Sequence, residues 1–176
     1  QSILYPDDAN DYNQWGGLAN LHQQLDFDTN TVIAGAPDWK IGSSSYGKVY
    51  IWTRSGSSWS QQQSITPPTI DGIGSFFGGS VAISGDTLAV GANSYDAGGI
   101  QNAGAVYIYV RSGSAWSLQQ KIEYGQTNSN FGSDVDLDGD YLIVGASNDD
   151  TAGTNSGRAF VYKRSGTTWS LQQNID

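Results

Sequence analysis

The stretch Arg54-Ser55-Gly56-Ser57-Ser58-Trp59-Ser60-Gln61-Gln62-Gln63 returns almost unchanged from Arg111 and again from Arg164. Two shorter signals return with it. A Gly-Ala dipeptide closes a hydrophobic run at Gly35-Ala36, Gly91-Ala92 and Gly145-Ala146, and an aromatic-Gly dipeptide stands at Trp15-Gly16, Phe77-Gly78 and Phe131-Gly132. The copies are spaced 53 to 62 residues apart. A period on the order of 50 residues points to a propeller or another radial array, in which one supersecondary unit is copied around an axis.

The second copy shows the unit most clearly. Ser80 to Ser84 alternates as a short strand, and Gly85-Asp86 is a tight-turn signal. Thr87 to Val90 is a second strand, closed by Gly91-Ala92; a polar, Gly-rich loop from Asn93 to Ala103 follows. Ala105 to Val110 is a third strand, rich in β-branched and aromatic residues, and Ala115 to Ile122 is a fourth. Four strands joined by short connections make an up-and-down meander, one propeller blade. Alternation along the fourth strand predicts Trp116, Leu118, Gln120 and Ile122 on one face and Ser117, Gln119 and Lys121 on the other. Trp59, Trp116 and Trp169 are expected in the core, packed on the neighbouring sheet. The Gln and Lys of this strand are expected to protect an outer edge.

The repeat phase divides the chain into the end of a preceding blade and a linker (1–14), then blades over 15–66, 67–123 and 124–176. Gln1-Ser2-Ile3 matches Gln63-Ser64-Ile65, and Gln173-Asn174-Ile175-Asp176 matches Gln120-Lys121-Ile122-Glu123. Three blades fall short of the roughly four to eight that close a propeller. The ring is therefore expected to be partial, or completed by further blades of a longer chain or by other copies of this one. A β-trefoil, also three four-stranded repeats, is the alternative.

Of the 176 residues, 38% are hydrophobic and 14% charged, with 23 Gly, 6 Trp, 10 Tyr and 5 Phe. That profile suits a turn-rich all-β protein with ample aromatic core. The net charge of −9 disfavours nucleic acid and anionic lipid as partners. With no Cys, thiol nucleophiles, thiolate metal sites and disulfides are excluded. No apolar run approaches the ~20 residues of a membrane helix. The single His22 has no assembled Ser and Asp beside it in the sequence, so catalysis is not expected.

Phe77-Gly78-Gly79-Ser80-Val81-Ala82 followed by Val90-Gly91-Ala92, Phe131-Gly132-Ser133-Asp134-Val135 followed by Val144-Gly145-Ala146, and Trp15-Gly16 followed by Ala34-Gly35-Ala36-Pro37 together resemble the FG-GAP repeat. This is the repeat of integrin α-subunit propellers and of many microbial and viral surface proteins, and the trailing Trp-Ser-x-Gln-Gln resembles the short-turn microbial and viral type. The resemblance covers residues 15 to 176. It implies an all-β fold of three four-stranded antiparallel blades, an extracellular, cell-surface or virion location, and a non-enzymatic role in adhesion or assembly.

The family often carries a calcium loop between the first two strands of a blade. Asp134-x-Asp136-x-Asp138-Gly139 is similar to that motif. Aligned on the second repeat, however, the three Asp fall on Ser80, Ala82 and Ser84, within a strand. Phe131 to Gly145 spans 14 residues, as does Phe77 to Gly91, which leaves no room for the extra turn. Two readings stay open, a solvated strand face and a calcium site. Asp26, Asp28 and Asn30 in the first repeat are a weaker set at the wrong offset.

In a meander the loops after strands two and four emerge at one end, the ligand-binding face in integrins. They carry Trp39, Lys40 and Tyr46; Tyr95 and Asp96; Asn148, Asp149 and Asp150; and Tyr5, Asp7, Asp8, Asp71 and Tyr124. Exposed aromatics beside Asp and Asn are what a sugar site uses, so a carbohydrate-binding propeller is the second functional expectation. An accessory domain of a larger secreted enzyme is the third. The expected partners are further blades, other copies, surface proteins or glycans.

Overall fold

The computed structural model describes residues 25–68 and 74–176. Residues 1–14, Trp15-Gly16, His22, Tyr5, Asp7, Asp8 and Asp71 lie outside the described residues. The described strands are β1 (Leu25–Asp28), β2 (Thr31–Ala36), β3 (Lys40–Ile41), β4 (Ser44–Ser45), β5 (Lys48–Ser55), β6 (Ser58–Ile65) and β7 (Ser80–Ser84). They continue with β8 (Thr87–Ala92), β9 (Ala105–Ser112), β10 (Ala115–Glu123), β11 (Phe131–Asp138), β12 (Tyr141–Ala146), β13 (Arg158–Ser165) and β14 (Thr168–Ile175). Three antiparallel sheets follow chain order: sheet I is β1-β2-β5-β6, sheet II β7-β8-β9-β10 and sheet III β11-β12-β13-β14, while β3-β4 is a separate small hairpin. Each is the meander that the repeats predict. Short Ser-Gly turns close the outer hairpins: Gly56, Gly113 and Gly166 take φ near +60 (60°, 63° and 63°), where a side chain would be strained. The described sheets do not close a ring.

Neighbouring sheets pack face to face. Ile33, Val49, Ile51 and Ile65 of sheet I meet Val81, Ile83, Leu88, Val90, Tyr107, Tyr109 and Trp116 of sheet II. Ala82, Ala89, Val106, Ile108 and Ile122, on the opposite side of sheet II, meet Val135, Leu137, Leu142, Val144, Phe160, Tyr162 and Trp169 of sheet III. The leading faces of sheets II and III thus combine aliphatic inner strands with aromatic outer ones, while the trailing faces of sheets I and II are aliphatic throughout. Alternation along the strands sorts the two sets.

Close approach is set by glycine. A Cβ on Gly35 would lie 1.9 Å from the Gly78 carbonyl oxygen, and one on Gly91 2.2 Å from that of Gly132. The Gly-Ala dipeptide of one sheet therefore receives the aromatic-Gly dipeptide of the next, which explains why the two recur together.

The outer strand departs from the expected alternation. The β9–β10 ladder pairs Tyr109 with Leu118 and then Ile108 with Gln120, so Gln119 is bulged out. The same shift leaves out Gln62 in β6 and Gln172 in β14. A bulge flips the side-chain order beyond it. Trp116 consequently faces sheet I while Ile122 faces sheet III, rather than the two sharing one face. Trp116 and Trp169 are core residues at 4% and 3% exposure, whereas Trp59 is half-buried.

Candidate functional site

The loops after the second and fourth strands meet at one end of the array. Asn128 N donates to the Gln101 carbonyl and Asn130 N to that of Asn102, joining loops of sheets II and III, while Asn148 N donates to the Ser129 carbonyl between the two loops that flank sheet III. Side chains add to this: Asn102 Nδ2 donates to Asn128 Oδ1 (3.1 Å), Asn148 Nδ2 to Asn130 Oδ1 (3.0 Å), and Asp150 N to Gln126 Oε1 (3.0 Å). Asn102, Asn128, Asn130 and Asn155 hold positive φ, which Asn tolerates better than most side chains.

The loop after the second strand of each sheet begins with the same turn. Trp39 N donates to the Ala36 carbonyl, Tyr95 N to that of Ala92 and Asp149 N to that of Ala146. The third residue after Gly-Ala then turns inward onto a cation. Lys48 Nζ lies 4.3 Å above the Trp39 ring. Lys121 Nζ lies 4.2 Å above the Tyr95 ring and donates to its hydroxyl at 2.7 Å. Asp149 Oδ1 faces Arg158 Nε at 3.9 Å and accepts from Thr151 N at 2.8 Å. Burial pushes the Asp149 carboxyl up, but the Thr151 hydrogen bonds, Tyr124 and the Arg158 charge outweigh it and hold the group below its ordinary value.

This placement corrects the expectation of exposed aromatic platforms. Tyr95 is only 6% exposed and Asp149 is fully buried. Trp39, Tyr46 and Tyr124 are half-buried, and Tyr124 packs on Phe131 and Phe160 at ring distances of 5.7 and 4.8 Å. Burial raises the Tyr124 phenol, and Asp149 beside it adds to the shift. Asp96, Asn148 and Asp150 do project from the loop end. Two of them also brace their own loops: Asp96 Oδ1 accepts from Asn102 N (2.8 Å) and Asp150 Oδ1 from Asn155 N (2.6 Å).

Asp134, Asp136 and Asp138 lie in β11, on its exposed face. Residues two apart on a strand are separated by roughly 7 Å, so the three form a row along one face instead of the loop cage that a calcium ion takes. Among the described residues no three His, Asp or Glu side chains are grouped to hold a metal. Asp26, Asp28 and Asn30 are engaged otherwise. Asp26 Oδ2 accepts from Ile83 N at 2.8 Å, Asp28 Oδ2 from Gly85 N, and Asn30 Oδ1 from Arg54 Nε and Nη2 at 3.0 and 2.8 Å.

The Asp26 and Asp28 contacts belong to a polar joint between sheets I and II that alternation and composition do not reveal. Gln63 Oε1 accepts from Trp116 N (2.8 Å) while its Nε2 donates to the Trp116 carbonyl (3.0 Å). Gln120 holds Trp169 in the same way, at 2.8 and 3.0 Å. The bulged Gln62 and Gln119 accept from the indole Nε1 of Trp116 and Trp169 at 3.0 and 3.3 Å. Arg111 Nη1 donates to Thr31 Oγ1 (3.1 Å) and Arg164 Nη1 to Thr87 Oγ1 (2.9 Å). Beside Arg111 an open, polar cleft of about 450 Å³ is lined by Asp28, Asn30, Thr53, Arg54 and Gly85 among others. The signal for the joint was the invariant spacing of Trp-Ser-x-Gln-Gln: each Gln serves the Trp of the following copy.

A family model described as FG-GAP repeat matches residues 59–109 and 116–162, more than half of the chain. The chain belongs to the FG-GAP repeat family. Each matched FG-GAP stretch starts on the outer strand of one sheet, at Trp59 or Trp116, and ends in the third strand of the next. Each match therefore spans one joint between neighbouring sheets. FG-GAP domains are generally non-catalytic interaction modules of propeller type. No curated protein matches the chain.

Proposed function

We propose that the protein is a non-enzymatic attachment module of an exposed surface, cellular or viral, that holds its partners through the loop end of its FG-GAP array. The observation that carries this reading is the cross-braced loop end: Asn102, Asn128, Asn130 and Asn148 tie three loops together, and Asp96, Asn148 and Asp150 project from a rigid frame. A pre-organised polar patch loses little conformational entropy on binding. The net charge of −9 favours a partner with basic or hydrogen-bonding groups over phosphate or anionic lipid. FG-GAP repeats are typical of extracellular and surface proteins.

The test joins location to contact. Antibodies against the chain are applied to intact and to permeabilised carriers, cells or purified particles. Binding of the isolated chain to those carriers is then compared with that of the triple variant Asp96→Ala/Asn148→Ala/Asp150→Ala. Staining of intact carriers, with binding weakened about tenfold or more by the variant and only the modest fall in Tm that the lost loop braces bring, is the expected result. Staining only after permeabilisation removes the surface role. Unchanged binding moves the contact away from the loop end.

A further inference from the structure

Phe76 stands in a backbone conformation that suits it poorly. Its φ is +59°, in the left-handed region that bulky side chains rarely enter. The repeat shows which residue the place prefers. Ser75-Phe76-Phe77-Gly78 aligns with Ser129-Asn130-Phe131-Gly132, and Asn130 takes the same conformation at φ +55°. The turn is the same too: Gly79 N donates to the Phe76 carbonyl at 2.9 Å, and Ser133 N to that of Asn130 at 3.0 Å. A phenylalanine thus occupies a place shaped for asparagine.

Packing does not account for the exchange. The Phe76 ring is 41% exposed and belongs to none of the three core clusters. Among the described residues it meets no other aromatic ring. Its neighbour Phe77 does the packing, fully buried and 5.3 Å from the Tyr107 ring. Strain that no burial offsets is a pointer from structure to function.

A carboxamide stands beside the ring. A Cβ on Gly79 would lie 3.9 Å from Phe76 Cβ and 3.4 Å from Asn93 Oδ1, so the base of the ring and the Asn93 amide flank one glycine. Asn93 is half-buried, yet its carboxamide has no hydrogen-bond partner among the described residues. Its backbone carbonyl accepts from Asn130 Nδ2 at 3.5 Å, and Asn130 Oδ1 accepts from Asn148 Nδ2 at 3.0 Å. A chain of three asparagines therefore leads from the ring toward sheet III. The frame beneath is fixed: Ser75 is 1% exposed, its carbonyl accepts from Ser94 N at 3.1 Å, and Gly74 N donates to the Ser45 carbonyl at 2.7 Å.

These groups select their occupant. An exposed ring offers a flat apolar face, and a carboxamide both donates and accepts. The C–H face of a pyranose and its hydroxyls match that pair. A protein surface matches it less well, because the core of such an interface needs several apolar residues in one patch, and here a single ring stands among amides. The net charge of −9 disfavours sulfated, phosphorylated and carboxylated sugars.

We propose that Phe76 and Asn93 form a binding site for a neutral hexopyranose unit of a surface glycan, with the sugar stacked on the Phe76 ring and its hydroxyls bonded to the Asn93 carboxamide. This rests on reading the loop end as the contact face and names one class of partner for it. The site lies apart from the aromatics first expected to hold a sugar, Trp39 and Tyr95, which turn inward onto lysines.

Saturation-transfer NMR tests the site, with the α- and β-methyl glycosides of glucose, galactose, mannose, N-acetylglucosamine and N-acetylgalactosamine at up to about 20 mM. The deciding variant is Phe76→Asn, which installs the residue type of the aligned place. Asn93→Ala removes the amide, and Leu118→Ser, at an exposed apolar residue of β10, is the control. The expected result is transfer to at least one glycoside, with binding weakened about tenfold or more by Phe76→Asn and clearly by Asn93→Ala, and unchanged by Leu118→Ser. The Tm of Phe76→Asn should equal or exceed that of the wild type, since Asn tolerates this φ better. No transfer to any of the glycosides overturns the proposal, as does binding indifferent to Phe76→Asn. A fall in Tm in that variant overturns it as well, because the ring would then be a packing residue. The same glycosides, added as competitors to the carrier-binding assay, keep the two ideas apart: carriers bound without competition leave the loop-end attachment standing and remove the sugar alone.

Discussion

Gln63 reads the backbone of Trp116 as a neighbouring strand would. Its carboxamide accepts the Trp116 N–H at 2.8 Å and donates to the Trp116 carbonyl at 3.0 Å. A side chain thereby gives sheets I and II a two-point bond with the geometry of a peptide group, and Gln120 repeats it on Trp169. Such bonds are partly buried, and each is worth about 0.5–1.5 kcal/mol net. Gln120→Ala is expected to lower stability by about 1–3 kcal/mol in urea unfolding. Gln120→Glu should do no better at neutral pH, because it presents a second acceptor to the Trp169 carbonyl. Wild-type stability in either variant would remove the clasp from the energetics.

Glycine at the sheet boundary predicts a sharp contrast of position. Gly91→Ala places a methyl 2.2 Å from the Gly132 oxygen and 2.1 Å from Ser80 Oγ. Backbone must move, at about 1–3 kcal/mol or more. Gly139→Ala meets no atom within 4 Å, and its cost comes only from its φ of +56°, about 1 kcal/mol. Thermal midpoints of the two variants should rank in that order.

Acid should loosen the joint between sheets I and II. The Asp28 carboxyl lies below its ordinary 3.8, chiefly through the Gly85 N–H bond, with Thr29 and Arg111 helping. A carboxyl depressed in the folded state contributes stability above its unfolded pKa and loses it as pH falls through the folded value. Asp28→Asn keeps an acceptor but cannot titrate. Its thermal midpoint should fall less steeply than that of the wild type between about pH 5 and pH 2.5. Equal slopes would assign the acid response to other carboxyls, Asp149 among them.

Tyr95 separates a packing role from a ligand role. Its ring makes an edge contact with Tyr107 at 6.4 Å and lies beneath Lys121. Tyr95→Ala is expected to cost about 3–5 kcal/mol, as for other buried aromatic truncations. Tyr95→Phe, which loses only the Lys121 hydrogen bond, should cost about 1 kcal/mol. A Tyr95→Ala chain of unchanged urea midpoint would restore the ring to the surface.

The strands of sheet II were legible residue by residue, because alternation and the Gly-Asp and Ser-Gly turns are local signals. The outer strand was not. A bulge at Gln119 leaves no trace in composition, and without it the period places Trp116 and Ile122 on one face. The burial of Tyr95 is hidden from the sequence for a related reason. A loop in sequence need not be a surface in space, and Lys121, 26 residues away, draws the ring inward. The Asp134 to Asp138 row was correctly placed on a strand by counting from Phe131, while the use of such a position shows only when Asp28 is seen across the joint from Gly85.

Because each family match runs from an outer tryptophan into the third strand beyond it, the portable piece of this protein is not the sheet. A cassette cut from Trp59 to Ala115 would carry the Gln pair of one sheet together with the Phe-Gly dipeptide and glycine of the next. Deleting or duplicating such a cassette would join two seams of identical chemistry and leave no mismatched boundary. The number of blades in such an array can therefore change without any new seam chemistry having to arise.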